Sequence, residues 1–480
     1  MAGGMVRTGE CGCAGQRYPG QKFGGNRRWK SLPIRLVPNR LRTRLLTSSS
    51  LSRLYAVGDE MRALNAVGCC IIVCGIGFFV ARRSVPTASQ QKPPTAFVPP
   101  ADAEKVRAEI RRVENVLPKI PDRGAALFLL ARRYAHLGEL QKALALLKEC
   151  VALDAGFDPE PDESPSLRVL GSNPEFREML EGVRRRYPAV HKANVAFTVP
   201  ARDLFPEGLA VDAENRLFYM GSMHLRKIVK FALNGNVSDF VSQDAFDLMP
   251  VGGVHVDPVD HSVWASTDAG EKRRPELLHF AAQGKLLERY ASPGTMPYDL
   301  NDLVLRGSRE IFTTDTEGHH VYRFDRTSHT FKDMKFYRPV FYPNGITLSG
   351  DGNLLFVADM LGIIRSDLLT NESEDVDPGA HNTLSGIDGL YWNKGEFLGV
   401  QYGTGAYRVM RWQLAVDGRK VTGSQTLEYR TELVSDPTTG AVFGDNFYFI
   451  SNTGIYNLED DKIVDPAKLE PVHIAVVALK

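Results

Sequence analysis

Glu207, Asn301, Asn344 and Asp388 are the residues whose type and spacing point to chemistry. Each stands at the head of a recurring segment and is followed directly by Gly208, Asp302, Gly345 or Gly389. Two more segments carry Gly252 and Thr439 at the same place, before Gly253 and Gly440. All four side chains offer hard oxygen donors, two as carboxylates and two as carboxamides. Carboxylates gathered at one point repel each other unless a cation compensates. This donor set suits Ca²⁺, with water completing the shell, and Mg²⁺, Mn²⁺ and Zn²⁺ are the alternatives. Taken singly, an Asn-Gly or Asp-Gly pair reads as a turn. Four heads in phase, one of them a Glu that no turn requires, read as a metal centre.

For these heads to meet, the elements behind them must form a ring. The segments beginning at Pro206, Val251, Leu300, Pro343, Ile387 and Thr438 share one plan: a short apolar strand, a Gly/Asp/Asn turn and a second, aromatic-rich strand. Strands with turn signals at such regular spacing indicate an all-β architecture. A repeat of 43 to 51 residues, read from the numbers of successive heads, is the length of a four-stranded propeller blade. Six units predict a mainly β, six-bladed propeller over 191–480. The last unit has only three strands of its own, ending near Val472, and the stretch from Ala193 supplies the missing outer strand. Such closure removes the open sheet edges. The equivalent heads then surround one mouth of a central channel.

The segments PEG at Pro206, ND at Asn301, PNGI at Pro343 and DG at Asp388 resemble the signature of the regucalcin/gluconolactonase family of six-bladed propellers, related to the paraoxonases. The resemblance spans roughly 205–452, and PNGITLSGDGNLLFVAD is its most specific part. It implies that Glu207, Asn301, Asn344 and Asp388 bind a catalytic divalent ion and that Asp302 contacts substrate. Two departures stand out. Asp299 occupies the place, two residues before Asn301, where the sugar lactonases usually carry Arg. Gly252 stands where a paraoxonase-like His would be. Asp299, His319 and His320 complete the candidate substrate contacts with Asp302.

A divalent ion at the mouth would polarise an ester or lactone carbonyl and acidify water, with a neighbouring carboxylate as base or nucleophile. Asp388, and after it Asp302, are the candidates for that role. No G-x-S-x-G elbow, phosphate loop, G-x-G-x-x-G fingerprint or CxxC pair occurs. The expected activity is hydrolysis of a lactone, ester or phosphoester by a small-molecule enzyme. The alternatives are a non-catalytic interaction module with a structural metal, and an isomerase, dehydratase or synthase on the same scaffold. A net charge of +1 gives no sign of a nucleic-acid partner.

The N-terminal half carries no such motif. Residues 1–60 are Gly-, Arg- and Ser-rich and read as disordered or targeting, mitochondrial if translated, with Met61 as the alternative start. Within 61–83 the uncharged run from Ala66 to Ala81 reads as a signal or membrane anchor, slightly short of the ~20 residues of a full span. Membrane anchoring or export follows from that reading. Residues 84–101 form a Pro-rich linker. Residues 102–190 are helical, and Ala131, Tyr134, Gly138, Ala143, Leu147 and Pro159 follow tetratricopeptide-like spacing. A single such unit reads as a cap packed on the propeller, or else as a module for a protein partner. Five of the six cysteines lie before residue 80, so no disulfide framework holds the propeller.

Overall fold

The structure is a computed structural model that describes residues 100–161, 164–268, 273–293, 299–459 and 461–480. The targeting segment, the apolar run 66–81 and nearly all of the Pro-rich linker lie outside the described residues. Among the described residues no helix is long and apolar enough to cross a membrane.

Six sheets form the propeller. The first is Pro206–Asp212, Leu217–Ser222, Ile228–Ala232 and Val237–Val241, and the second Val251–Val256, Val263–Thr267, Glu276–Phe280 and Leu286–Ala291. The third begins with Leu303–Arg306 and Glu310–Asp315, the fourth with Ile346–Leu348 and Leu354–Asp359, and the fifth with Ile387–Asn393 and Glu396–Gln401. All neighbouring strands within these sheets are antiparallel. The second strand of each blade is sandwiched between the adjoining sheets. Val263–Thr267 and Glu310–Asp315 are accordingly buried at every position. Between the blades sit the large apolar side chains, among them Trp264, Trp412, Phe218, Phe312 and Phe324.

The sixth sheet closes the ring. Its inner strands Gly440–Phe443, Asn446–Ile450 and Val472–Ala478 come from the C-terminal end, and its outer strand is Asn194–Val199. Asn194 pairs with Val476 and Val199 with Val472. Val190 and His191 add a short fifth strand to blade five through Tyr429 and Glu428.

Four helices precede the ring: α1 (Ala103–Val116), α2 (Arg123–His136), α3 (Leu140–Ala152) and α4 (Pro174–Arg186). Asn173 caps α4 by accepting from the Phe176 N–H, with Pro174 in the first turn and Arg184, Arg185 and Arg186 in the last. The tetratricopeptide-like module is not supported: α2 and α3 form one hairpin whose core continues into the propeller through Phe341, Met360 and Leu361. A lone hairpin cannot bury both its faces, and here the ring supplies the missing surface.

Buried polar latches fix this cap. Asp122 accepts from the Ala125 N–H at 3.0 Å to start α2, and from Thr383 Oγ1 (2.7 Å) and the Leu384 N–H (2.8 Å) on the ring. Asp158 takes Tyr429 and Arg430, and Arg408 donates to the Gly156 carbonyl at 3.0 Å. Below the cap, buried Arg338 is paired with Asp359 at 2.6 Å and Asp375 at 2.8 Å. Asp359 also accepts from the Phe341 and Leu361 N–H groups. The cap therefore touches Phe341, shortly before Asn344, and Thr383–Leu384, shortly before Asp388.

Candidate metal centre

Three of the heads are held through their backbone carbonyls by neighbouring blades. The Glu207 carbonyl accepts from Thr439 Oγ1 of blade six. The Asn301 carbonyl accepts from the Gly253 N–H (2.8 Å) and Ser266 Oγ (2.6 Å) of blade two. The Asn344 carbonyl accepts from Thr314 Oγ1 of blade three at 2.8 Å, while its N–H donates to Ala358. The backbone of each of these three heads is thus cross-tied to the next blade.

The glycines behind the heads serve this packing rather than turns. None of Gly208, Gly253, Gly345, Gly389 and Gly440 is among the glycines at positive φ. A Cβ at Gly208 would stand 2.3 Å from the Gly252 carbonyl oxygen, and one at Gly345 would stand 2.5 Å from that of Asp388. The blades approach so closely near the axis that backbone meets backbone.

Glu207, Asn344 and Asp388 line one cavity of about 230 Å³ with Tyr402, Tyr407, Asp436, Thr438 and Tyr456. Asn301 lines an adjoining space of about 1080 Å³, which shares Glu207 and also includes Asp299 and Asp268. Three of the four heads therefore face one cavity, and the fourth meets them through Glu207. Asp388 Oδ2 accepts from Thr438 Oγ1 at 2.8 Å. Its Oδ1, and Asn344 Oδ1, are buried without a hydrogen-bond partner. Unsatisfied buried oxygens cost roughly 1–3 kcal/mol each.

The electrostatics point the same way. Burial, followed by the charges of Asp388, Asp268, Asp299 and Asp302, pushes Glu207 well above the usual carboxylate range. Burial raises Asp388 to about 6 against the hydrogen bond from Thr438. Asp299 rises to about 6 and Asp302 to about 7, in both cases mainly through burial. Carboxylates crowded in a desolvated channel favour a proton or a cation. Among the described residues no three His, Cys, Asp or Glu side chains form a metal-binding group. The candidate set here has two carboxylates, and its other oxygens are amides. Two orphaned oxygens beside Glu207 fit a hard divalent ion.

The remaining candidates lie elsewhere. Asp302 lines a third, largely apolar cavity of about 170 Å³ with His255, Leu303 and Tyr391. Its Oδ1 accepts from the Leu303 N–H at 2.8 Å and its Oδ2 from the Ile346 N–H at 3.4 Å, so it ties blade three to blade four. Asp299 reaches the larger space, with Oδ1 accepting from the Glu317 N–H at 2.9 Å. His319 lines none of these cavities; its Nδ1 accepts from the Tyr342 N–H at 3.0 Å, and burial lowers its pKa to about 4. His320 pairs with Asp333 at 3.2 Å and stacks on Tyr322. The structure does not bring the two histidines to Glu207, Asn344 and Asp388.

Thr438, Tyr402, Tyr456 and Asp436 escaped sequence reasoning. Thr438 alone carried a signal, since it immediately precedes the head Thr439. The tyrosines come from loops whose course the repeat does not specify.

No family model matches the sequence, and no curated protein matches it. Solved structures are similar to it at low identity. A regucalcin described as a calcium-binding protein, from Agrobacterium tumefaciens, is 17% identical, with a TM-score of 0.43 over 60% of this chain and 94% of its own. A gluconolactonase from Xanthomonas campestris is 15% identical, with a TM-score of 0.42 over 59% and 89%. Virginiamycin B lyase from Staphylococcus aureus is 15% identical, with a TM-score of 0.40 over 54% and 81%. The chain is a six-bladed β-propeller, and its structural neighbours include a regucalcin and a gluconolactonase.

Proposed function

We propose that this propeller is a divalent-metal-dependent hydrolase of a lactone or ester, with Ca²⁺ as the metal its donors suit best. The observation that carries the reading is the pair of unpartnered buried oxygens, Asn344 Oδ1 and Asp388 Oδ1, on residues that line one cavity with Glu207. Glu207, Asn344 and Asp388 would hold the ion, with Asn301 at the edge of the set. When bound, a divalent ion supplies a Lewis acid for the substrate carbonyl.

The chain's own groups do the rest. Thr438 fixes one oxygen of Asp388 and leaves the other without a partner. Asp388 takes the proton of the attacking water as the new C–O bond forms at the acyl carbon. That proton passes to the departing alkoxide as the original acyl–oxygen bond breaks. Tyr402, Tyr407 and Tyr456 wall the cavity and limit water around the acyl group.

The test is a lactone and ester panel run with and without chelator, together with Asp388→Asn and Glu207→Gln. Turnover should vanish with chelator and fall at least ~100-fold in Asp388→Asn. Glu207→Gln should release the metal as measured by elemental analysis. Turnover that survives chelation would overturn the reading. A chelator that lowers only the melting temperature of a protein without activity would instead identify a structural metal.

A further inference from the structure

One stretch of blade six departs from the blade plan beside the site. In blade four the second strand, Leu354–Asp359, reaches the third, Gly362–Asp367, through Met360 and Leu361 alone. In blade six the same connection runs over 451–471, from Asn446–Ile450 to Val472–Ala478. It carries a small hairpin of its own, Leu458–Glu459 paired with Lys462–Ile463. A long connection inside a regular repeat is a place where function concentrates.

This excursion borders both spaces at the candidate metal centre. Thr453, Ile455 and Tyr456 line the cavity of about 230 Å³, and Ile455, Leu458, Asp461 and Lys462 line the space of about 1080 Å³. Among the described residues only Glu207 and Ile455 line both. Ile455 is half-buried and, among the described residues, joins none of the apolar clusters that hold the blades together. The two residues mark the passage between the spaces, one as a carboxylate and the other as apolar bulk.

The backbone holds Ile455 in place. Gly454 turns the chain at φ 71°. The Ile455 N–H then donates to Asp436 Oδ2 at 3.2 Å and to Thr453 Oγ1 at 3.1 Å, and its carbonyl accepts from the Leu458 N–H. Next along the chain, the Tyr456 hydroxyl meets that of Tyr407 at 2.8 Å. At the far end Asp461 pairs with Arg226 of blade one. A β-branched side chain on a backbone so tied has few rotamers, so its bulk is fixed.

Size then decides what each space takes. A dry cavity of about 150 Å³ accommodates benzene. The smaller space is about 230 Å³ and must also hold the ion and its water, at about 30 Å³ per water. One ring fits in the remainder, and two fused rings do not. A carbonyl held beside Glu207 would send its other half into the wider space.

We propose that Ile455 sets the acyl-size limit of this site, and that the substrate is an ester whose acyl half is no larger than a single ring and whose alcohol half occupies the wider space. The proposal rests on the hydrolase reading above and narrows its substrate.

The test uses the full chain loaded with Ca²⁺ and the nitrophenyl esters of acetic, benzoic and naphthoic acids, which share one leaving group. The wild type should accept the first two and discriminate against the third. In Ile455→Ala the ratio of kcat/KM for naphthoate over benzoate should rise ~10–100-fold, the weight of a few methylene groups in a pocket. Ile455→Trp should lower the ratio of benzoate over acetate. Val464→Ala, on the same excursion but lining neither space, should leave both ratios unchanged. Ile455→Val serves if Ile455→Ala does not fold, with a smaller rise. Ratios that Ile455 variants do not move overturn the proposal. The free carboxylates give a second readout that needs no turnover. Benzoate should raise the melting temperature of the Ca²⁺-loaded wild type, and naphthoate should do so only in Ile455→Ala. If no ester is turned over but this pattern holds, the hydrolase reading fails and the size limit stands. If esters are turned over with the same acyl preference in wild type and Ile455→Ala, the hydrolase reading stands and the size limit fails. If neither the esters nor the carboxylates respond to Ile455, the size limit fails as well.

Discussion

His319 shows how a residue that looks chemical can be structural. It sits at φ 58°, in the left-handed region, with its Nδ1 accepting from the Tyr342 backbone and its ring edge-on to Tyr342 at 4.4 Å. Burial, then Arg112 and Lys105 on α1, lower its pKa from the usual 6.5 to about 4. Between those values the unfolded chain binds a proton that the folded chain refuses. Stability is therefore lost as pH falls through that window. His319→Asn keeps an acceptor and a residue type that tolerates positive φ. Urea midpoints compared at about pH 7 and about pH 4.5 should drop less in His319→Asn than in the wild type. An equal drop would place the proton-sensitive group elsewhere. The type and doublet of His319 and His320 were visible in the sequence. Their orientation was not, because it depends on Tyr342 in the loop leading to blade four and on Asp333 on the neighbouring strand of blade three.

Among the structural elements, the inner strands carry the site, and their close approach is its physical basis. Gly345 lies where the blade-five backbone leaves no room: a Cβ would stand 2.5 Å from Asp388 O and 2.7 Å from Leu390 N. Backbone atoms cannot step aside as a flexible side chain can. Gly345→Ala should cost about 1–3 kcal/mol in chemical denaturation and weaken metal retention by displacing Asp388. Gly182→Ala, inside α4 with nothing within 4 Å, is the control. It should stabilise by about 0.5–1 kcal/mol. If the two variants behave alike, close packing at the axis is not what the head glycines secure.

On the scale of the whole molecule, cap and ring behave as one unit. Asp122 is 3% exposed and serves both, starting α2 with one oxygen and holding Thr383 and Leu384 with the other. Asp122→Ala removes a helix cap and leaves two donors of the ring buried without an acceptor. The expected loss is about 2–4 kcal/mol, read by chemical denaturation. Limited proteolysis should then cut between α4 and the ring before the blades are attacked. A stability change below ~0.5 kcal/mol would mean that the apolar contacts to Phe341, Met360 and Leu361 dock the cap without help.

The sequence by itself determined the ring. Period-two patterning and a repeat one blade long are local properties, and each blade must bury both faces of its second strand, so the number of units and the outer strand at Asn194–Val199 could be read from the chain. It also determined which residues stand at the heads, because register carries Glu207, Asn344 and Asp388 to equivalent places. Only the tertiary structure decided which oxygens lack partners and that Asp302 is spent on joining two blades. Those outcomes depend on contacts between different blades, far apart in the chain. No local pattern encodes how the heads of separate blades come to line one cavity.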